Sequence, residues 1–135
     1  MKASISFKFA VLAAAMLGIS GSQALNAQQS GFTRIPVQDQ PLSDPARHVV
    51  QARAEFLPGV AAGKHTHPGE EIIYVLEGQL EYQLEDKPPV KLKAGDVLFI
   101  PANTVHSARN PGSVTGSELA TYIVEKGKPL LTLVK

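Results

Sequence analysis

The chain reads as an all-β domain, a single jelly-roll barrel or sandwich. Three observations point there. Outside an N-terminal apolar segment, no window sustains the 3.6-residue apolar period of an amphipathic helix. The apolar residues fall instead in short runs, several of which alternate with polar ones as on a half-buried strand. Gly and Pro, 11 and 10 of the 135 residues, punctuate these runs at short intervals. Many short strands with regular turn signals suit two packed sheets. A jelly roll fits best, because its facing sheets enclose a small cavity.

Residues 1–24 are expected to be a secretory signal peptide. Lys2 and Lys8 give a positive start, and Phe9 to Ile19 forms an apolar core too short to span a bilayer comfortably. Ser22-Gln23-Ala24 has the small-x-small pattern of a cleavage site, with Ala27 as the alternative end. Residues 25–47 are expected to be an arm, either lying over the domain or over a neighbour or serving as a linker. Pro36, Pro41 and Pro45 allow Phe32 to Val37 to be an edge strand but argue against a central one. The β domain proper is expected over residues 48–135.

Within that domain, Val49 to Phe56 alternates in part and ends at Pro58-Gly59. Glu71 to Glu77 is the next run and stops at Gly78. Gln79 to Leu84 places Leu80, Tyr82 and Leu84 on one face. Asp86 to Pro89 turns the chain into Val90 to Lys93, and Ala94-Gly95-Asp96 turns it into Val97 to Ile100. Pro101-Ala102-Asn103 breaks that run before Thr104 to Arg109 resumes it. After a loop from Asn110 to Gly116, Leu119 to Val124 is a strand, and Leu130 to Val134 is a last apolar stretch. Ala52, Ala54 and Phe56 make the better core face of their run, which sends Arg53 outward.

Composition excludes several functions. Removing residues 1–24 takes away two lysines and no acids, so 11 cationic side chains face 12 acidic ones and the formal charge moves from +1 to −1. A near-neutral mixed surface offers no footprint for nucleic acid or, once the signal is cleaved, for a membrane. The absence of cysteine rules out disulfides, thiolate ligands and a cysteine nucleophile.

The chemistry concentrates in His65-Thr66-His67, Glu71 and His106. Histidines at i and i+2 on an extended strand project from one face, so both imidazoles reach a single ion. Glu71 lies four residues past His67, an even offset, with Pro68-Gly69 between them able to bend the chain. His106 supplies a third nitrogen, expected from a facing strand. Imidazole nitrogen with carboxylate oxygen suits divalent first-row metals. Glu70 is expected outside and solvated, and His48 is read as an ordinary strand-end histidine. Tyr82 is expected to pack in the barrel, with proton transfer by its phenol as a second reading.

These residues fall into two spaced motifs. Gly59 is followed by five residues, His65-Thr66-His67, three residues, Glu71, six residues and Gly78. After sixteen intervening residues Gly95 opens a second motif, in which Pro101, His106 and Asn110 follow in register. Both patterns resemble those of the cupin superfamily, G-x5-H-x-H-x3,4-E-x6-G and G-x5-P-x-G-x2-H-x3-N, over about Val49 to Val124. Asn103 stands where that family has glycine, and asparagine tolerates the left-handed backbone such a turn needs. The resemblance implies a jelly roll in which His65, His67, Glu71 and His106 are metal ligands.

One divalent transition metal ion (Mn, Fe, Co, Ni, Cu or Zn) is therefore the expected cofactor. Three neutral imidazoles and one carboxylate leave the ion a local charge of about +1, which attracts enolates, catecholates and carboxylates. The expected function is that of a small exported, periplasmic metalloenzyme of dioxygenase type acting on enolate- or catechol-like small molecules. The alternatives are a non-catalytic protein that binds a small ligand or metal, and an O₂-independent isomerase or decarboxylase. No catalytic residue beyond the ligands is assigned. Cupins of this kind are often homodimers, which implies a second copy as partner, paired through the arm or Leu130 to Val134.

Overall fold

The computed structural model describes residues 30–135. The signal peptide expected at residues 1–24 lies outside them. Ten strands follow in order: β1 (Phe32–Pro41), β2 (Arg47–Phe56), β3 (Ala61–Thr66), β4 (Gly69–Glu77), β5 (Gln79–Leu84), β6 (Val90–Lys93), β7 (Val97–Ile100), β8 (His106–Arg109), β9 (Gly116–Glu125) and β10 (Thr132–Leu133). No helix occurs among the described residues. The strands form two five-stranded sheets, β1-β2-β9-β4-β7 and β10-β3-β8-β5-β6, in which every pairing is antiparallel. The chain passes from one sheet to the other between β2 and β3, β3 and β4, and β4 and β5, and again at every step from β6 to β10. These crossings make the jelly-roll sandwich that the turn spacing implies.

The core lies between the sheets and follows strand parity. Ala52, Ala54 and Phe56 on β2 meet Ile73 and Val75 on β4, Leu80, Tyr82 and Leu84 on β5, and Ala120, Tyr122 and Val124 on β9. Arg53 faces outward, as its neighbours require, and pairs with Glu55 at 2.8 Å and Glu77 at 3.7 Å. Glu70 likewise stays outside, held by Arg47. His48 sits near the start of β2 and meets Asp39 at 2.7 Å.

Three segments differ from the expectation. The assigned arm contains a ten-residue edge strand, β1, whose register against β2 slips between Pro36 and Gln38. An edge position and a bulge are the two places where a strand accommodates proline. Strand β3 is signalled in the sequence only at its histidines, because Ala61-Ala62-Gly63-Lys64 lacks large apolar residues and its ladder to β8 slips between Ala62 and His65. Of Leu130 to Val134, only Thr132–Leu133 forms a strand, at the edge beside β3.

Candidate metal centre

His65, the last residue but one of β3, stands directly opposite His106, the first residue of β8, so the two rings are cross-strand neighbours with centroids 4.3 Å apart. His106 is thus a neighbour of His65 within one sheet. The donor that faces them from the other sheet is Glu71 on β4. This reverses the sequence-based placement of His106 on a facing strand. Parity along one segment gives no sign of which sheet a distant strand joins.

His67 follows β3, and its ring lies 4.9 Å from His65 and 5.2 Å from His106. Pro68 then turns the chain across to the second sheet. Gly69 makes that crossing possible, because a Cβ there would sit 2.0 Å from the Ile123 carbonyl oxygen and 2.7 Å from Val124 Cα. Only a residue without a side chain lets β4 meet β9 at this point. The second motif braces the first: Asn103, in the left-handed region at φ 58°, donates its N–H to the His67 carbonyl at 3.0 Å. Asn110 ties the loops together by donating to the Phe56 and Val114 carbonyls at 2.9 and 2.8 Å. The fixed turn residues of the two motifs therefore shape the backbone around the donors.

All four donors are buried, with exposures of 5 % for His65, 2 % for His67, 3 % for Glu71 and 2 % for His106. The ligand atoms of the three histidines lie within 4.8 Å of one another and form a group able to hold a metal ion. Glu71 Oε2 lies 3.3 Å from His67 Nε2 and 3.0 Å from His106 Nε2.

The orientation of the rings decides what this cluster can bind. Nδ1 of His65 contacts the Gly63 carbonyl at 2.6 Å, that of His67 the Leu130 carbonyl at 2.6 Å, and that of His106 the Thr104 carbonyl at 2.9 Å. A carbonyl only accepts, so each Nδ1 carries a hydrogen and each ring turns its Nε2 inward. Three ring nitrogens and a carboxylate thus converge. His67 Nε2 and Glu71 Oε2 are both buried without a hydrogen-bond partner despite their closeness. A cation satisfies all of them at once. Two donors sharing an ion at bonds of about 2.1 Å stand roughly 3.0 to 3.4 Å apart, which matches the separations of Glu71 from the two rings. The backbone carbonyls behind the rings fix their orientation and raise their basicity, as in established metal sites.

Electrostatics agree with this reading. Burial holds the His65 ring down to about 4, so it stays neutral and ready to ligate. Burial pushes Glu71 upward, but hydrogen bonding and positive charge at the His106 and His67 rings outweigh it and hold the carboxyl at about 2, and a cation would supply that positive charge in their place. The Tyr122 ring packs tilted against His67, centroids 4.7 Å apart, and lies across the ladder from Glu71.

Sequence reasoning missed three further inward polar residues. Glu118 on β9 is buried and meets the Tyr82 hydroxyl, which donates at 2.7 and 2.6 Å to its two oxygens. The sequence reading starts this strand at Leu119, although stepping back by two from Ala120 puts Glu118 on the inner face. Tyr122 shares the parity of Ala120. Arg34, paired with inward Ala54, depends on the β1–β2 register and leaves no local signal.

Comparison with known proteins fits this geometry. The family model described as "Cupin domain" matches residues 52–122, more than half of the chain and a span that includes all four donors. An oxalate-binding protein from Thermotoga maritima is 39 % identical over 74 residues, 54 % of this chain and 60 % of that protein. A dimethylsulfoniopropionate lyase from Ruegeria pomeroyi is 42 % identical over 45 residues, 33 % of this chain and 22 % of the lyase. The chain thus covers less than two thirds of either relative's length. The crystal structure of a cupin-like protein from Thermotoga maritima superposes with a TM-score of 0.59 at 26 % identity, over 76 % of this chain and 78 % of that one. Two crossed-over antiparallel sheets, a three-histidine group between them and a family match across both motifs lead to one assignment: the chain belongs to the cupin family.

Proposed function

We propose that this cupin holds one divalent first-row metal ion on His65, His67, Glu71 and His106, and uses it on a small molecule that offers anionic oxygens. The observation that carries this reading is the convergence of three Nε2 atoms, whose rings are held from behind by backbone carbonyls, on one buried carboxylate. When bound, the ion supplies Lewis acidity to the oxygens of an enolate- or catechol-like substrate and, in a dioxygenase, the redox partner for O₂. Glu71 contributes the one negative charge, which leaves a site of about +1 for the anion. The burial of the donors keeps bulk water away from it. Elemental analysis should find one ion per chain, and O₂ uptake should follow addition of a flavonol, catechol or diketone. A fully loaded protein that never consumes O₂ with any of them would sink the oxygenase reading.

Two observations favour a second reading without O₂. The donors are almost closed to solvent, and the relatives include an oxalate-binding protein and a lyase. A binding protein would perturb the metal's spectrum with a ligand and release it unchanged. A lyase, decarboxylase or isomerase would turn over anaerobically.

Export to the periplasm is proposed on the apolar segment within Met1–Ala24. Intact mass of the secreted protein should show a chain beginning at Leu25 or Gln28. A homodimer is proposed as well. Phe32–Pro41 of the arm and Thr132–Leu133 near the C-terminus are edge strands of the chain's own sheets. On the outer face beside edge strand β7, however, Tyr74, Val97 and Phe99 are exposed and adjacent, an apolar patch that a second copy would cover. Light scattering should give a dimer that Phe99→Glu converts to a monomer, and a wild-type monomer would contradict it.

A further inference from the structure

Two buried tyrosines face the interior near the four donors, and each commits its hydroxyl to a different carboxylate. Tyr82 on β5 donates to both oxygens of Glu118, at 2.7 and 2.6 Å. Tyr122 on β9 is hydrogen-bonded to Glu71. The second contact follows from the ladders. Register sets Val50, Tyr122, Glu71 and Ile100 side by side across β2, β9, β4 and β7, so Tyr122 and Glu71 are direct cross-strand neighbours with their side chains on one face. Strand β9 is the middle strand of that sheet, and Tyr122 is the largest fully buried side chain among the described residues. Its ring cannot swing away without opening the packed core.

Tyr122 therefore touches two of the donors, each with a different part of its side chain. The ring packs against the His67 imidazole, centroids 4.7 Å apart and planes tilted by 56°. The hydroxyl serves the Glu71 carboxylate. Of the two Glu71 oxygens, Oε2 is buried without a hydrogen-bond partner and lies 3.3 and 3.0 Å from the Nε2 atoms of His67 and His106. That leaves Oε1 as the acceptor for the hydroxyl, which at neutral pH keeps its hydrogen and donates it.

The division of labour between the two oxygens matters, because a carboxylate binds a cation through one oxygen or through both. Three imidazoles and a single oxygen fill four positions of an octahedral ion and leave two open. A carboxylate bound through both oxygens fills a fifth and leaves one. An enolate or catecholate that brings two oxygens needs two. We propose that Tyr122 is a positioning residue whose hydroxyl occupies Oε1, so that Glu71 gives the ion Oε2 alone and the centre stays open to molecules that grip it with two oxygens. This rests on the metal reading above and names the residue that sets how many positions a substrate finds. The competing account is a filler tyrosine, whose ring closes the core and whose hydroxyl is incidental.

Tyr122→Phe separates the two accounts, because it keeps the ring against His67 and removes only the hydroxyl. Infrared difference spectra, Mn²⁺-loaded minus metal-free, isolate the stretches of the bound carboxylate, and Glu71→Gln identifies them by their loss. The gap between the antisymmetric and symmetric stretches is wide for a carboxylate bound through one oxygen and narrow for one bound through both. Wild type should show the wide gap and Tyr122→Phe the narrow one, at equal ion content. Anaerobic calorimetric titration of the Mn²⁺-loaded proteins gives a second readout, with catechol as the two-oxygen ligand and azide as a ligand that takes one position. In Tyr122→Phe, catechol forces Glu71 back onto one oxygen and leaves the other buried without its donor, whereas azide does not. The ratio of catechol to azide affinity should therefore fall about tenfold to a hundredfold, the range for a hydrogen bond to a charged group. Should Tyr122→Phe fold poorly, wild type refolded in D₂O carries deuterium on the Tyr122 hydroxyl and should show shifted Glu71 stretches, and unshifted ones overturn the assignment. Failure of the protein to take up any ion overturns the metal centre and this role of Tyr122 with it. Normal uptake with a narrow gap in wild type, or with either readout unchanged by Tyr122→Phe, overturns the role of Tyr122 alone.

Discussion

Replacing Glu71 by Gln tests the site at its only charged donor. With free ion at a hundredfold excess over its dissociation constant, binding to the folded state alone adds about 2.7 kcal/mol. A domain of this size moves its melting temperature by about 4–8 °C per kcal/mol. Loading should therefore raise the wild-type Tm by about 10–20 °C. Glu71 is buried, and His106 and His67 hold it ionised down to about 2, so Gln deletes a charge that the site is built around. Breaking a buried charge interaction costs about 3–5 kcal/mol, which weakens the ion by at least about a hundredfold. At the same ion concentration the gain then shrinks to about 0.4 kcal/mol, or about 2–3 °C. Scanning calorimetry with and without each of Mn²⁺, Fe²⁺, Co²⁺, Ni²⁺, Cu²⁺ and Zn²⁺, alongside elemental analysis, measures both numbers. A full metal-induced shift in Glu71→Gln would remove the carboxylate from the ligand set. A wild-type protein that no ion stabilises would refute the whole argument.

Two pH effects of opposite sign should appear in chelator-treated protein. The unfolded His65 ring takes a proton near 6.5 and the folded one only at about 4. Its contribution of roughly 3 kcal/mol is thus complete above 6.5 and lost as pH falls towards 4. Urea unfolding at pH 7.5 and 4.5 should show the loss, and His65→Asn should flatten it. Glu118 is raised from 4.5 to about 8, so its contribution is complete below 4.5 and lost as pH rises through 8. Glu118→Gln should accordingly be more stable than wild type at pH 9, and equal stability there would mean that the carboxyl ionises freely inside the fold. Gly69→Ala places a methyl group against the Ile123 carbonyl and should cost at least about 3 kcal/mol in thermal unfolding, with metal uptake falling in step. A neutral result would mean that β4 and β9 are not held so close.

The four donors were legible because turn residues and ligands recur at fixed intervals in two short stretches. Part of the reasoning from spacing succeeded for a different physical cause. The even offset of Glu71 from His67 presumed one continuous strand, whereas the chain changes sheets between them and Gly69 sets the direction. The location of His106 depended on which sheet β8 joins, a long-range pairing that no local pattern encodes. Arg34 was hidden for the same reason, since its inward direction follows from a partner about twenty positions away. Glu118 was missed differently: Ser117 and Glu118 fall between a loop that ends at Gly116 and a strand read from Leu119, although the alternation of β9 runs straight through them. Proline spacing did locate an edge strand in the supposed arm, because β1 bears Pro36 beside its bulge, where no ladder bond is lost.

The tether between His67 and the Leu130 carbonyl links the ion to a distant part of the chain. Leu130 leads into β10, which adds two ladder pairs to β3 and one further bond, from the Val134 amide to the Lys64 carbonyl. So light an anchorage leaves this short strand among the first parts of the fold to peel away. An occupied centre locks the imidazole in place, and through it the carbonyl that strand carries, so that chelation should loosen the C-terminal edge before it loosens anything else. Amide exchange at Val134 would then serve as a remote gauge of whether the cation is aboard.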